Sequence, residues 1–201
     1  MFSSSQFYGA GNYLPKKGGL LPNASWTHGV IYFPSPYSII SREDSVFDFH
    51  LVTNQAQADL ASSKFSNVVP VGLPYAHAYK NFYDSSYEKD ISRLFLSRHS
   101  IKGERDDPLK DQISKAKEFE CDALCLQGDQ FIFLFGTEKD WISSEGIRVF
   151  KGASTRDAKS YERIISIFSR TQTLVSDCAG SHPYYAVVCE SKFELHYEKF
   201  G

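Results

Sequence analysis

The chain reads as an α/β protein built on a mostly parallel sheet with helices on both faces. Three observations predict this. Apolar runs of strand length (91–96, 123–126, 146–150 and 173–175) alternate with segments of helical period (108–119 and 154–168) through the second half. Two of the runs end in short polar loops that each carry a histidine, where a strand should stop. A length of 201 residues with 42% hydrophobic and 23% charged side chains suits one substantial core, or one domain with an appendage.

Residues 1–45 are rich in Gly, Pro, Asn, Ser and aromatics, with one short strand expected around Trp26, His28, Val30, Ile31 and Phe33. Alternation over 47–52 predicts a strand. Thr53-Asn54 then offers a cap for a helix over 55–65, with Ala56, Leu60, Ala61 and Lys64 on one face. Residues 67–74 read as a second short strand closed by a Gly/Pro turn, and 75–90 as a Tyr- and Ser-rich connection.

The regular part follows. A strand over 91–96 leads to a helix with Pro108 in its first turn and Leu109, Ile113, Ala116 and Phe119 on its buried face. Strands are expected at 123–126 and 131–135, with Gln127-Gly128-Asp129-Gln130 as either a hairpin turn or a βα loop. Another covers 146–150. Ser154 or Thr155 caps the clearest amphipathic helix, which carries Ala158, Tyr161, Ile164, Ile165 and Phe168. A strand at 173–175, a short helix at 183–189 and a strand at 193–197 complete the series. The expected division is an irregular segment with partial α/β elements over 1–90 and a Rossmann-like domain over 91–201.

Charge narrows the function. Net charge is −2, from 22 basic and 24 acidic residues without a Lys/Arg stripe, so no nucleic-acid partner is expected. Cys121, Cys125, Cys178 and Cys189 form no CxxC pair and read as reduced thiols of a cytoplasmic protein. No apolar run reaches membrane-spanning length, and the first residues do not read as a secretion signal. No metal-ligand spacing, P-loop, GxSxG or GxGxxG occurs, so neither metal nor cofactor is expected.

The two histidine loops hold the candidate site. In Ser97-Arg98-His99-Ser100, Arg98 can pair with a phosphate, while His99 can donate to a phosphate or a sugar hydroxyl. The alternative is a polar βα loop that caps its neighbours. In 176–183, Gly180 permits close approach to a ligand and Ser181 can cap the next helix, leaving N–H groups to face a phosphate. His182 would lie in the first turn, and Asp177 has the chemistry of a hydroxyl or ribose acceptor. An ordinary capped turn is the alternative there. His50 and His196 read as structural, and His77 as undetermined.

Several segments follow one another in a suggestive order: Tyr8-Gly9, Trp26-Thr27-His28-Gly29, residues 52–60, and Val69-Pro70-Val71-Gly72-Leu73-Pro74. Arg98-His99-Ser100, then residues 175–181 with Tyr184-Tyr185-Ala186, close the series. Over roughly residues 7–200 this order resembles a two-domain GT-B glycosyltransferase of bacterial polysaccharide biosynthesis, mainly its C-terminal donor-binding domain. The resemblance implies a nucleotide-sugar donor and a saccharide acceptor. It assigns His99, Ser100, Gly180 and Ser181 to the donor phosphates, and His28 to the acceptor side as a base. With no DxD-like pair, metal-independent chemistry is implied. A lipid-linked acceptor would bring peripheral membrane association. Such enzymes usually have two comparable domains, whereas here about 90 residues precede the C-terminal-like part. The departure points to an excerpt, a truncated homologue or a reduced protein, completed by a homo-oligomer or a missing N-terminal partner. The alternative function is a catalytically inactive sugar- or nucleotide-binding module, or a protein-interaction module.

Overall fold

A computed structural model describes residues 10, 23–27, 31, 34–41, 44–96, 109–128, 131, 144–154, 157–178 and 180–196. The chain forms two compact units, residues 1–82 with 155–162 and residues 83–154 with 163–201.

The first unit carries a parallel sheet in the order β1 (Ala24–Trp26), β2 (Phe49–Val52), β3 (Val68–Pro70). Helices α1 (Pro36–Ile39), α2 (Gln55–Ala61) and α3 (Pro74–Phe82) accompany it. Ile39, Ile40, Val52, Ala58 and Ala61 form its core. Asn54 caps α2 as expected, its side-chain oxygen accepting from the Gln57 N–H at 2.9 Å. The helix stops at Ala61 instead of 65, and its buried face is Gln57, Ala58 and Ala61. Leu60 is exposed. Gln57 turns inward because its Oε1 accepts from the Thr53 hydroxyl at 2.6 Å and the Thr53 N–H at 3.2 Å. The expected connection over 75–90 begins instead with α3, where Pro74 starts the helix and Tyr75 and Ala78 are buried.

His50 is a core residue, with its Nδ1 2.9 Å from the buried Ser25 hydroxyl. Burial lowers its pKa. Trp26 donates its indole N–H to the Gly72 carbonyl at 2.9 Å, and Gly72 takes φ +89°, a left-handed conformation suited to glycine. The undetermined His77 sits against this turn, its Nε2 2.7 Å from the Val71 carbonyl and its ring edge-on to Trp26.

The second unit is a five-stranded, wholly parallel sheet. In chain order its strands are β4 (Ile91–Leu96), β5 (Ala123–Leu126), β6 (Arg148–Lys151), β7 (Thr171–Ser176) and β8 (Lys192–Leu195). Between them run α4 (Leu109–Glu118), α5 (Ser160–Ser169, whose first residues belong to the first unit) and α6 (His182–Val188). The spatial order is β6-β5-β4-β7-β8. The chain therefore winds outward from β4 to one side and restarts at β7 on the other, the doubly wound Rossmann-like order.

Strand alternation assigns the faces. Phe95, Leu124, Leu126 and Val175 pack with Leu109, Ile113 and Ala116 of α4. Cys125, one residue from Leu124, faces the other way, where the Arg163 guanidinium of α5 acts on its thiol. Helices thus cover both faces, as right-handed crossovers on either side of β4 require.

Two expectations are corrected here. Phe131 does not open a strand: it is helical, and its N–H donates to the Gln127 carbonyl at 2.9 Å. At α5, which begins at Ser160, Ser154 stands too far back to cap and Thr155 lies outside the described residues, while Asp157 supplies acceptors before the first turn. Its carboxylate accepts from the Lys159 N–H at 3.0 Å and its carbonyl from the Ser160 N–H at 3.1 Å.

At the opposite end of the sheet, Asp90 joins β4 to β6 and β7 by accepting from Arg170 and Arg148. Lys89 donates to the carbonyls of Thr171, Cys189 and Glu190. No helix among the described residues is long and apolar enough to cross a membrane.

Candidate functional site

Leu96 and Ser176, the last residues of β4 and β7, are register partners. They end the two strands between which the winding reverses. In open α/β sheets the loops leaving such a pair diverge to opposite faces and open a crevice. Both histidine loops leave the sheet here. Arg98, His99 and Ser100 lie outside the described residues, as does His28; the second loop is described except at residue 179.

Alternation sends consecutive residues of that loop apart. Asp177 turns to the α4 side, where its Oδ2 meets Lys115 Nζ at 3.1 Å. The Asp177 side chain is only 3% exposed, and its Oδ1 is buried without a hydrogen-bond partner. Its paired oxygen is therefore committed to a lysine, not open to a ribose. A buried ion pair persists because removing either charge strands the other in a poorly solvated place.

Ser176 turns to the other side and is fully buried. Its Oγ accepts from the Cys178 N–H at 3.3 Å and lies 3.1 Å from the Cys178 carbonyl, 3.4 Å from the Leu96 carbonyl and 3.3 Å from His182 Nδ1. One hydroxyl thus touches the end of β4, the middle of the loop and the start of α6.

Gly180 and His182 do come together: a β-carbon at Gly180 would stand 3.9 Å from the imidazole Cε1 and Nδ1, in ordinary contact. The expected cap is overturned. Ser181 is already helical (φ −78°, ψ −5°) and makes no side-chain cap hydrogen bond. Its carbonyl instead accepts from the N–H groups of Tyr184 and Tyr185 at 3.2 and 3.3 Å. Pro183 has no N–H to offer. The backbone donors expected to face a phosphate are reduced accordingly.

The neighbouring loops are closely joined. The Gly152 N–H donates to the Leu126 carbonyl at 2.6 Å, and the Gly128 N–H to the Ala153 carbonyl at 2.7 Å. Arg163 donates to the Gly152 carbonyl at 3.3 Å. Cys125 is no nucleophile here, since burial pushes its thiol up to about 12. Among the described residues, no three His, Cys, Asp or Glu side chains gather as a metal site.

Lys115 and Ser176 are the participants that the sequence reading did not single out. Lys115 precedes the buried Ala116, and nothing local marks it as the partner of a residue 62 positions away. Ser176 carries a better signal: it is a hydroxyl closing an apolar strand at a position whose alternate neighbours, Leu174 and Gln172, share its side. Compared with known proteins, the sequence matches no family model and no curated protein.

Proposed function

We propose that this chain is a glycosyltransferase-like protein that binds a nucleotide-sugar donor at the carboxyl edge of its five-stranded sheet, toward transfer of the sugar to a saccharide acceptor. One observation carries the reading. The winding reverses between β4 and β7, and the polar loops that follow Leu96 and Ser176 each carry serine and histidine, with Arg98 in the first and Gly180 in the second. Arg98, His99, Ser100, Gly180, Ser181 and His182 are the proposed donor contacts, and Asp177 supports the loop through Lys115. His28 is the proposed base on the acceptor side. The four free cysteines fit work in the cytoplasm, and a lipid-linked acceptor would hold the protein at the membrane surface.

Calorimetric titration against UDP-, GDP-, CMP- and TDP-sugars tests this reading, with His182→Ala as the site control. Saturable binding to one donor, weakened in the variant, is expected. A folded protein that binds none of them contradicts it.

A protein-interaction module is the second reading. Tyr184 and Val187, three residues apart on α6, are 47% and 75% exposed, and Leu195 on the edge strand β8 is 42% exposed. That surface favours a protein partner and needs no nucleotide.

A further inference from the structure

We infer that Ser176 is a positioning residue that fixes the tautomer of His182, holding the ring proton on Nδ1. The inference rests on the nucleotide reading only for its consequence, since the assignment follows from hydrogen-bond accounting around one hydroxyl. A serine hydroxyl has one proton to donate and two lone pairs. Four atoms surround Ser176 Oγ besides the Cys178 thiol at 3.7 Å. The carbonyls of Cys178 and Leu96, at 3.1 and 3.4 Å, can only accept. The Cys178 N–H, at 3.3 Å, can only donate. His182 Nδ1, at 3.3 Å, can do either.

If the hydroxyl gave its proton to Nδ1, both carbonyls would face oxygen lone pairs in a fully buried place, with no proton between them. Giving the proton to the Cys178 carbonyl, the nearest of the three acceptors, relieves the closer contact and leaves only the Leu96 carbonyl, at 3.4 Å, facing a lone pair. The lone pairs then receive the Cys178 N–H and one further donor. Nδ1–H is that donor, closer and stronger than the weakly donating Cys178 thiol. Histidine tautomers are set by the bond the other ring nitrogen makes, so the neutral ring carries its lone pair on Nε2. Protonation of His182 then occurs at Nε2, leaving the Nδ1–H bond to Ser176 intact.

This matters for the proposed site because Ser176 itself, being buried, cannot touch a ligand. Its effect on binding travels through His182 and through the loop whose Cys178 carbonyl and N–H it bonds. An anionic ligand at the β4/β7 crevice would meet a ring already oriented, whose charge is gained at Nε2 without breaking the support at Nδ1.

The test uses the full chain labelled at histidine nitrogen, with inorganic pyrophosphate as a probe that carries a diphosphate without committing to a base. Long-range proton–nitrogen spectra of the neutral ring should show His182 protonated at Nδ1. In Ser176→Ala the ring should move toward the Nε2–H form, the intrinsic preference of imidazole. Pyrophosphate affinity should fall roughly threefold to tenfold, as expected for losing one hydrogen bond's worth of positioning. Ser176→Thr, which keeps the hydroxyl, should restore the tautomer. A packing role alone would lower stability in Ser176→Ala without moving the tautomer. An Nε2–H ring in the unsubstituted protein, or an unchanged ring in Ser176→Ala, overturns the assignment whatever pyrophosphate does. An Nδ1–H ring in a protein that does not bind pyrophosphate overturns the diphosphate reading and leaves the assignment standing.

Discussion

Lys115 of α4 and Asp177, the first residue after β7, meet at 3.1 Å, with side chains only 17% and 3% exposed. The contact ties a helix on one face of the sheet to the loop in which the candidate site lies. An aspartate in that loop suggests a ligand contact when read alone, but one of its oxygens is held by the protein itself. The supporting role is the stronger one, because the carboxylate keeps the lysine and the loop together whether or not a ligand is bound.

Lys115→Met should therefore destabilise the protein by about 3 kcal/mol, because it strands a buried carboxylate. The double variant Lys115→Met with Asp177→Leu should be clearly more stable than the single one, since no uncompensated charge remains. Urea denaturation of the unsubstituted protein, Lys115→Met, Asp177→Leu and the double variant measures this. A double variant no better than Lys115→Met would show that the pair is not the source of the loss.

Two glycines near the carboxyl edge should respond in opposite ways. A β-carbon at Gly152 would stand 2.6 Å from the Leu126 carbonyl oxygen and 3.0 Å from Cys125 Sγ, so Gly152→Ala forces backbone apart and should cost about 1–3 kcal/mol. Among the described residues Gly180→Ala meets only the His182 ring, at 3.9 Å, and should lie within about 0.5 kcal/mol of the unsubstituted protein. Thermal melts of both variants distinguish close packing at Gly152 from ordinary contact at Gly180.

Acid stability should depend on Asp90. The Arg170 guanidinium, followed by Arg148, holds its carboxyl down at about 2, against an ordinary value of 3.8. A carboxylate with a depressed folded pKa contributes its full stabilisation above the ordinary value, and loses it as pH falls toward the folded one. The partners are partly exposed, so solvent screening keeps the effect modest. Asp90→Asn should lower stability at pH 6 and flatten the decline between pH 4 and 2, read from denaturation midpoints across that range. An unchanged acid limb would remove Asp90 from the account.

Lys89 offers a test at the opposite edge of the sheet from the site. Its Nζ donates to the carbonyls of Thr171 at 3.0 Å, Cys189 at 2.8 Å and Glu190 at 3.2 Å, which a methionine cannot do. Lys89→Met should cost about 2 kcal/mol through the carbonyls left partly unsatisfied, while leaving ligand affinity intact. Affinity lost in proportion to stability would argue that the sheet and the site do not behave separately.

The parallel sheet was legible because β4, β5 and β7 are buried on both sides and read as continuous apolar runs, such as Leu94-Phe95-Leu96 and Ala123-Leu124-Cys125-Leu126. Helix α3 was not, because its Tyr-, Ala- and Asn-rich sequence has the texture of a loop and its helical state depends on Pro74 and on burying Tyr75 and Ala78. The inward face of α2 was misread because Gln57 is polar by type yet buried by its bonds to Thr53. At the site, the 176–182 loop stood out by composition. Its wiring did not: Lys115–Asp177 and Ser176–His182 are tertiary contacts, and only the fold brings the first pair within reach.

The most direct measurement is a proton–nitrogen correlation titration of the full chain with whichever donor nucleotide or pyrophosphate binds. The largest shifts should fall on 177–182 and on 97–100, the two loops beyond Ser176 and Leu96. Saturable shifts centred on the three-stranded sheet, with the 177–182 loop silent, would contradict it.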